Sequence, residues 1–297
     1  MIIVLGVCIY APFFTAFELR GLGTSRVLAA LPGFERADDG AGPTDRRNEY
    51  VAQMHERFRA EQNVARLQRD GHFELAFQPQ LSLADGRLRG ADGSLRGPAF
   101  IADYRTLGLM PELDFMVLGE AVDAARQLGG HGAFTLSVNL SPQTVVDARL
   151  DGVLERLLAR PLPDGVTLEF EVTEHQSVAD FAVFAAALER LRRRGHAVAL
   201  DDFGSGYSTL AYLTRFPFDK IKLDRTLVLA LSRPDGAAFM AATVRMCRVS
   251  GATVLVEGVE TEAELSVVKG CGADAVQGYL TGRPQPLPAL LERLQGS

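Results

Sequence analysis

Short apolar runs in the second half of the chain alternate with segments of helical spacing. The runs are FTLSV, TLEF, AVAL, KIKL and TVLV. Each run is rich in β-branched residues, which is typical of a buried strand. The segment after each run carries apolar residues at helical intervals. A strand and a helix repeated about every thirty residues predict a (β/α) barrel of parallel strands.

Each of these runs is followed by a side chain that offers an oxygen ligand. These residues are Asn139, Glu171, the adjacent pair Asp201 and Asp202, Asp224, and Glu257. Because strand ends converge on one face of such a barrel, we expect the side chains to form one site. Carboxylates gathered in this way repel each other unless cations lie between them. The pattern therefore predicts a divalent-metal site, and the adjacent aspartates suit two metals that hydrolyse a phosphate ester.

Lys222 is predicted to point into the barrel beside these acids, because it lies two residues before Asp224 on its strand. It could position an attacking water and steady developing charge, or it could simply form an ion pair with one of the acids. The segment DFGSGYSTL, residues 202–210, reads as a mobile loop rich in hydrogen-bonding groups or as a simple strand-to-helix turn. Glu174 is close enough to Glu171 in sequence to hold this loop.

The first half of the chain predicts a helix and then a hairpin. The helix runs from Thr44 or Asp45 to about Arg69. Its apolar residues near one face are Met54, Phe58, Val64 and Leu67. The strand FELAFQPQL follows, and a turn at residues 84–87 leads into a second strand that ends near Arg96. From Pro111 onward the strand and helix alternation takes over.

The N-terminal segment differs from the rest. Residues 2–17 are uncharged and almost wholly apolar, and Pro12 interrupts them. At about 1.5 Å per residue the segment is marginal for a bilayer core of about 30 Å. It fits a membrane anchor, a buried element or remnant of a longer upstream region, or a signal peptide. As an anchor it would tether a cytoplasmic protein to the inner membrane. The predicted organisation is an apolar segment at 1–31, a linker at 32–45 and a barrel domain at 46–297.

Charge and cysteine content limit the kinds of molecule that the protein is expected to bind and the compartment in which it is expected to occur. The formal net charge is −6, and no basic stripe is interleaved with aromatic residues, which argues against a protein that binds long nucleic acid. The three cysteines, Cys8, Cys247 and Cys271, form no CxxC or Cys/His ligand pattern. Their spacing is typical of a protein in a reducing compartment.

Several motifs together resemble the EAL-domain family of bacterial cyclic di-GMP (c-di-GMP) phosphodiesterases and receptors. They are QPQLSLADGRLRGAD, SVNLS, EVTE, ALDDFGSGYSTLAYL, DKIKLDR, VEGVET and VQGYLTGRP, in the order and spacing of that family. The similarity extends from about residue 50 to about residue 290. It implies a modified TIM barrel of the α/β class with one antiparallel strand. It also implies a homodimer that uses two Mg²⁺ or Mn²⁺ ions to open c-di-GMP to linear pGpG.

The resemblance also implies roles for individual residues. The metal-binding or water-activating positions would be Asn139, Glu171, Asp201, Asp202 and Glu257. Lys222 would be the catalytic lysine, and Glu174 would anchor the loop. The positions near the ligand would be Gln78, Arg96, Asp224, Glu260 and Gln277, with Arg96 contacting a phosphate.

The motif that gives the family its name is altered. Asp92, Gly93 and Ser94 stand where the family has Glu, Ala and Leu, so Asp92 would be the metal ligand from this strand. Its carboxylate is set back by one carbon–carbon bond, about 1.5 Å. The segment between Arg96 and Phe100 is also shorter than in the family. Three functions therefore remain open: a phosphodiesterase with full or reduced activity, a c-di-GMP receptor without turnover, and a protein-interaction module.

Overall fold

The computed structural model of the chain describes residues 43–70, 74–95, 99–173, 180–205 and 209–295. The predictions for the apolar segment at 1–31, for most of the linker, and for Arg96 and Glu174 lie outside these residues. The chain divides into two compact units, Met1–His55 and Glu56–Ser297. The second unit contains the barrel described below.

Eight strands close into a barrel in their sequence order. They are β1 (Leu75–Ser82), β2 (Leu88–Leu95), β3 (Phe134–Asn139), β4 (Val166–Thr173), β5 (Ala197–Phe203), β6 (Lys220–Leu223), β7 (Thr253–Val256) and β8 (Ala275–Gln277). β1 pairs antiparallel with both β2 and β8, whereas the remaining neighbours are parallel. This confirms the α/β class and the modified TIM barrel with one antiparallel strand.

Helices precede the barrel and connect its strands. They are α1 (Pro43–Asp70), α2 (Ala99–Leu107), α3 (Met110–Ala125), α4 (Pro142–Val145), α5 (Leu150–Leu157), α6 (Phe181–Arg193), α7 (Thr209–Arg215), α8 (Arg225–Leu229), α9 (Gly236–Val249), α10 (Glu262–Gly270) and α11 (Leu287–Gln295). The N-terminal helix is confirmed and begins at Pro43. The sequence pattern did not predict α2 or α8, and the five residues of α8 make little more than one helical turn.

The strands alternate between an apolar outer face and a polar inner face. On β4, Phe170 is fully buried, and Glu169 and Glu171 on either side of it are also buried. On β6, Ile221 separates two lysines in the same way. Because successive side chains of a strand point to opposite sides, the apolar residues face the surrounding helices and the charged ones face the barrel interior.

Only part of the predicted apolar face of α1 is buried. Val64 is buried and Leu67 packs against the core, but Met54 and Phe58 are 48% and 56% exposed. The second half of this face therefore packs against the core, whereas the first half is exposed among the described residues. The helix is tied to α2 instead by a polar contact, because the Asn63 amide donates to the Asp103 carboxylate at 2.9 Å.

Within the residues that the structure describes, no helix has the length and apolar character needed to cross a bilayer. The anchor predicted at residues 2–17 lies outside this part of the chain and stays a prediction.

Candidate active site

A buried lysine surrounded by carboxylates lies at the C-terminal end of the barrel strands. The Lys222 side chain is 1% exposed. Its Nζ lies 2.7 Å from Glu171 Oε2, 2.9 Å from Glu257 Oε1, 3.0 Å from Asp201 Oδ1 and 3.5 Å from Asp92 Oδ2. Lys222 thus forms the ion pair that one interpretation of the sequence expected, and it does so with four acids rather than one.

Five different strands bring these groups together, and Asp201 comes from β5. Asp92, Glu171 and Lys222 occupy inward positions near the ends of β2, β4 and β6. Glu257 directly follows β7, and its backbone N–H donates to the Leu223 carbonyl at 2.9 Å, which extends the sheet by one residue. The barrel thus brings together residues that are far apart in sequence, as the strand-end pattern predicted.

Both members of the Asp201–Asp202 pair reach the site because β5 is irregular. Neighbouring residues of a regular strand point to opposite faces, so an ordinary strand would present only one of them. Here the register with β6 shifts between Leu200 and Phe203, and Asp202 has a φ of 59°. Aspartate tolerates this left-handed backbone better than most residues. As a result, oxygens of Asp201, Asp202 and Glu257 all lie within 4.8 Å of one another.

Burial and charge together perturb the titration of the cluster. Burial raises the pKa of Glu171 well above its usual range; Lys222 opposes this rise, and Asp92 and Asp201 add to it. Burial likewise raises the pKa of Glu257 to about 7, against the charge of Lys222. Burial alone would lower the pKa of Lys222, but the carboxylates, Asp201 first among them, raise it well above its usual value. The cluster therefore holds its lysine protonated, and without cations its two glutamates take up protons more readily than free carboxyl groups do.

The carboxylate oxygens fit a cation site. Among the described residues, neither Glu171 Oε1 nor Asp92 Oδ1 has a hydrogen-bond partner, although both atoms are buried. A buried carboxylate oxygen without a donor is costly, and a metal ion would satisfy it. When all groups are ionised, the five carboxylates of the cluster and Lys222 leave four negative charges, which two divalent cations would balance. Oxygen ligands of this kind suit Mg²⁺ or Mn²⁺.

Three predicted residues lie at the edge of this cluster. Asn139 ends β3 and pairs in register with Glu171. The Gln277 amide donates to Asp92 Oδ2 at 3.3 Å and to Gln78 Oε1 at 3.2 Å, while Gln78 donates to the Gly282 carbonyl at 3.1 Å. Gln277 therefore contacts one of the acids directly, and Gln78 lies one hydrogen bond further out.

Two other predicted residues take part in local interactions and do not contact Lys222. The Asp224 carboxylate accepts from the Thr226 N–H at 2.9 Å and caps α8. Glu260 forms an ion pair with Arg225 at 2.7 Å on the surface. Their predicted place near the ligand stays a prediction.

A second polar layer lies below the cluster, and the sequence reasoning missed it. Lys220 Nζ donates to Glu169 Oε1 at 2.7 Å and to Gln80 Oε1 at 3.3 Å, and Ser137 Oγ donates to the same glutamate oxygen at 2.7 Å. Lys220 and Glu169 precede Lys222 and Glu171 by two positions on their strands. Charged residues repeated at a spacing of two, as in LEFE and KIK, are the signal that could have revealed this layer.

Comparison with known proteins identifies the family. The sequence model of the EAL domain matches residues 61–284, which is most of the chain. The chain belongs to the EAL-domain family. This EAL domain is 34% identical over 248 residues to the cyclic di-GMP phosphodiesterase NbdA of Pseudomonas aeruginosa, covering 79% of the chain and 32% of that protein. It is 31% identical over 240 residues to the cyclic di-GMP phosphodiesterase RocR of the same organism, covering 77% of the chain and 61% of that protein.

Solved structures with a similar fold include members of the same family. A c-di-GMP complex of the PaMucR phosphodiesterase aligns with a TM-score of 0.69 at 30% identity, covering 78% of this chain and 99% of that one. The EAL enzyme Bd1971 with cAMP and cyclic-di-GMP bound aligns with a TM-score of 0.74 at 25% identity, covering 84% and 72%. The chain spans about a third of the length of the first curated relatives that it matches.

Proposed function

We propose that this EAL domain hydrolyses c-di-GMP to linear pGpG with two divalent cations, Mg²⁺ or Mn²⁺. The names of the relatives NbdA and RocR and the c-di-GMP complex of PaMucR support this substrate. The observation that carries the proposal is the buried Lys222 among four carboxylates, with unpartnered oxygens on Glu171 and Asp92. This arrangement provides the excess negative charge that a two-cation site requires.

Each group of the cluster has a chemical role under this proposal. The cations would be held by the carboxylates of Asp92, Glu171, Asp201, Asp202 and Glu257 and by the side-chain oxygen of Asn139. The bound cations would supply a water of lowered pKa and a positive charge for the phosphoryl oxygens. Lys222 would hold the attacking water in line and stabilise the charge that develops on the phosphate.

A c-di-GMP receptor without turnover is the second candidate, and one distance favours it. Asp92 Oδ2 is 3.5 Å from Lys222 Nζ, whereas the other three carboxylates lie within 3.0 Å. The Asp92 carboxylate therefore approaches Lys222 less closely than the other three do, as expected for a side chain one bond shorter than glutamate. If the Asp92 carboxylate is also set back from a bound cation, that cation has one metal–oxygen distance longer than the others. Such a site departs from the octahedral geometry that Mg²⁺ demands.

Turnover by the purified full-length chain tests the proposal. The protein is stripped of metal, reloaded with Mg²⁺ or Mn²⁺ and given c-di-GMP, and pGpG is followed by chromatography. Glu171→Gln and Lys222→Met should each lower the rate by about 100-fold or more. Glu169→Gln is the matched control, because it changes the same side chain one layer below the cluster and should lower the rate much less.

The outcomes separate the candidates. Product formation that depends on Glu171 and Lys222 but not on Glu169 would support the phosphodiesterase. Tight c-di-GMP binding in calorimetry without any pGpG would support the receptor. If the wild type neither binds nor turns over c-di-GMP, both are wrong and the interaction module remains.

We further propose that the domain forms a homodimer through α9. Phe239, Ala242, Met246 and Val249 are exposed and recur at spacings of three and four, so they form one outward stripe. Phe239 is 57% and Val249 is 88% exposed. A second copy of the chain that packs its own α9 against this stripe would bury it, because a two-fold interface brings the same surface of both copies together.

The oligomeric state tests the dimer. By sedimentation velocity the wild type should be a dimer, and Met246→Glu should be a monomer, because a charge in the middle of the stripe would be buried without a partner. Ala237→Glu adds the same charge at an exposed position on a different face of α9 and should leave the dimer intact. A monomeric wild type, or a dimer that Met246→Glu does not weaken, would overturn the proposal.

The membrane attachment predicted for residues 2–17 rests on the sequence alone. Fractionation of the full-length chain beside a chain that begins at residue 45 tests it. Recovery of the full-length chain in the soluble fraction would retire the anchor.

A further inference from the structure

Asp114 is a buried carboxylate on α3 that holds the turn after β3. It is 6% exposed. Its Oδ2 atom accepts a hydrogen bond from the Ser141 N–H at 2.8 Å and another from the Ser141 hydroxyl at 2.7 Å. The Thr144 hydroxyl donates to the same oxygen. One carboxylate oxygen thus receives three donors from a turn that begins two residues after Asn139.

The opposite side of the same turn is tied to β4. The Leu140 N–H donates to the Glu171 carbonyl at 2.8 Å, so the residue after Asn139 continues the sheet beside Glu171. Asn139 itself pairs in register with Glu171. The backbone on the C-terminal side of Asn139 is therefore held from α3 and from β4. The backbone of Asn139 therefore has little freedom to move away from the neighbouring acid.

The buried carboxylate is not needed simply to start α4. Ser141 already caps that helix, since its hydroxyl accepts from the Thr144 N–H at 3.3 Å. Among the described residues, no cationic side chain forms an ion pair with Asp114, and burial raises the pKa of its carboxyl group. An unpaired buried carboxylate is costly, and only its hydrogen bonds to this turn offset that cost. The conformation of the turn is therefore what the carboxylate stabilises.

We propose that Asp114 is a positioning residue that keeps Asn139 beside Glu171, where the asparagine oxygen joins the cation site. The proposal rests on the two-cation function proposed above. Groups that hold a metal ligand from behind typically change metal affinity by about 10-fold to 100-fold when they are removed. Asp114 would act on the metal through Asn139 and would not touch it.

Metal affinity of the full-length chain tests the proposal without any need for turnover. Mn²⁺ is titrated into metal-free protein by calorimetry. Asp114→Ala should weaken binding by about 10-fold. Asp219→Ala is the matched control, because Asp219 also accepts from a backbone N–H of another element, that of Val198 at 2.9 Å, but at the opposite end of the barrel. It should lower stability and leave the Mn²⁺ affinity within about twofold of the wild type.

A double-mutant cycle separates positioning from a general structural role. Once Asn139→Ala has removed the ligand, Asp114→Ala should weaken Mn²⁺ binding no further. Equal losses in both backgrounds, or an unchanged affinity in the single variant, would overturn the inference. If Asp114→Ala does not fold, Asp114→Leu enters the same cycle under the same criteria, because it keeps the branched shape of the side chain and cannot accept a hydrogen bond. If the wild type binds no Mn²⁺, the proposed function fails first and this inference fails with it.

Discussion

Removing the ammonium group of Lys222 should destabilise the metal-free protein by a predictable amount. Lys222→Met leaves the four neighbouring carboxylates without their shared positive charge, and Glu171 is 0% exposed. Breaking a buried ion pair by removing one partner typically costs about 3–5 kcal/mol. The variant can limit this cost by taking up a proton in place of the lysine charge.

The proton sets the size of the effect. Keeping one glutamate protonated at pH 7 costs about 1.36 kcal/mol for each pH unit above its usual pKa of about 4.3, or about 3.7 kcal/mol. For a domain of this size, each kcal/mol shifts the melting temperature by about 2–4 °C, so we expect a loss of about 7–15 °C. Thermal unfolding of the full-length chain in the presence of a chelator measures it.

The pH dependence has a definite sign. In Lys222→Met the folded cluster holds one proton more than it does in the wild type, and the unfolded chain releases that proton above about pH 4.3. The deficit relative to the wild type should therefore shrink as the pH falls, to about 1.6 kcal/mol at pH 5.5. Saturating Mn²⁺ should also recover more stability in the variant than it adds to the wild type, because cations replace the missing charge.

The same substitution one layer below provides the control. Lys220→Met removes the partner of Glu169, which is also buried, and should lower stability at pH 7. Mn²⁺ should not recover this loss, because Glu169 already receives a hydrogen bond from Ser137 and lies away from the proposed cations. A loss below about 1 kcal/mol in Lys222→Met at pH 7, or a deficit that grows as the pH falls, would refute the reasoning about the charge balance.

Three further predictions address other parts of the domain. The double substitution Asp92→Glu with Gly93→Ala should raise both Mg²⁺ affinity and pGpG formation by about 10-fold or more. The added Cβ at residue 93 fits, because it would lie 3.4 Å from its nearest neighbours. No gain in affinity by calorimetry, or in product by chromatography, would contradict the expectation. Burial lowers the pKa of His196, so the unfolded chain binds the proton more readily than the folded protein does. The wild type should therefore lose stability as the pH falls through about 6.5, and His196→Gln should lose less in thermal unfolding. An equal change of melting temperature with pH in both proteins would exclude the effect. Gly278→Ala should destabilise the protein by about 2 kcal/mol in urea unfolding, because its Cβ would lie 2.1 Å from a backbone carbonyl oxygen. Gly119→Ala within α3 has no other atom within 4 Å of its Cβ and should stabilise the protein by up to about 1 kcal/mol. An unchanged stability of Gly278→Ala would show that the loop can move aside.

The strand and helix pattern was predictable because each strand packs one face on helices. β3 and β4 keep their apolar residues at alternate positions, and this spacing is visible in the sequence itself. The helices that were missed, α2 and α8, have nine and five residues. The five residues of α8 make little more than one turn, which is too few for helical spacing to be recognised. The exposure of the first half of α1 was also not visible in the sequence, because apolar spacing alone does not say which part of a face is covered.

Membership of the site was only partly predictable. Asp201 and Asp224 both follow apolar strand runs, and nothing in the residues themselves separates them. In the structure β5 continues through a bulge and carries its aspartates into the cluster, whereas β6 ends at Leu223 and Asp224 turns its carboxylate to the first turn of α8. The difference depends on how each strand ends, which is decided by pairing with its neighbours.

The sequence by itself determined that this chain forms a barrel with acidic strand ends, because alternation at a spacing of two and the family motifs are properties of the chain alone. It also determined that Lys222 shares the inner face with those acids. Only the tertiary structure decided that one lysine contacts four carboxylates, that Asp201 and Asp202 face the same side, and that a polar layer with Glu169 and Lys220 lies below them. Distances across a barrel depend on its closure and on the register of every strand pair, and no local stretch of sequence contains that information.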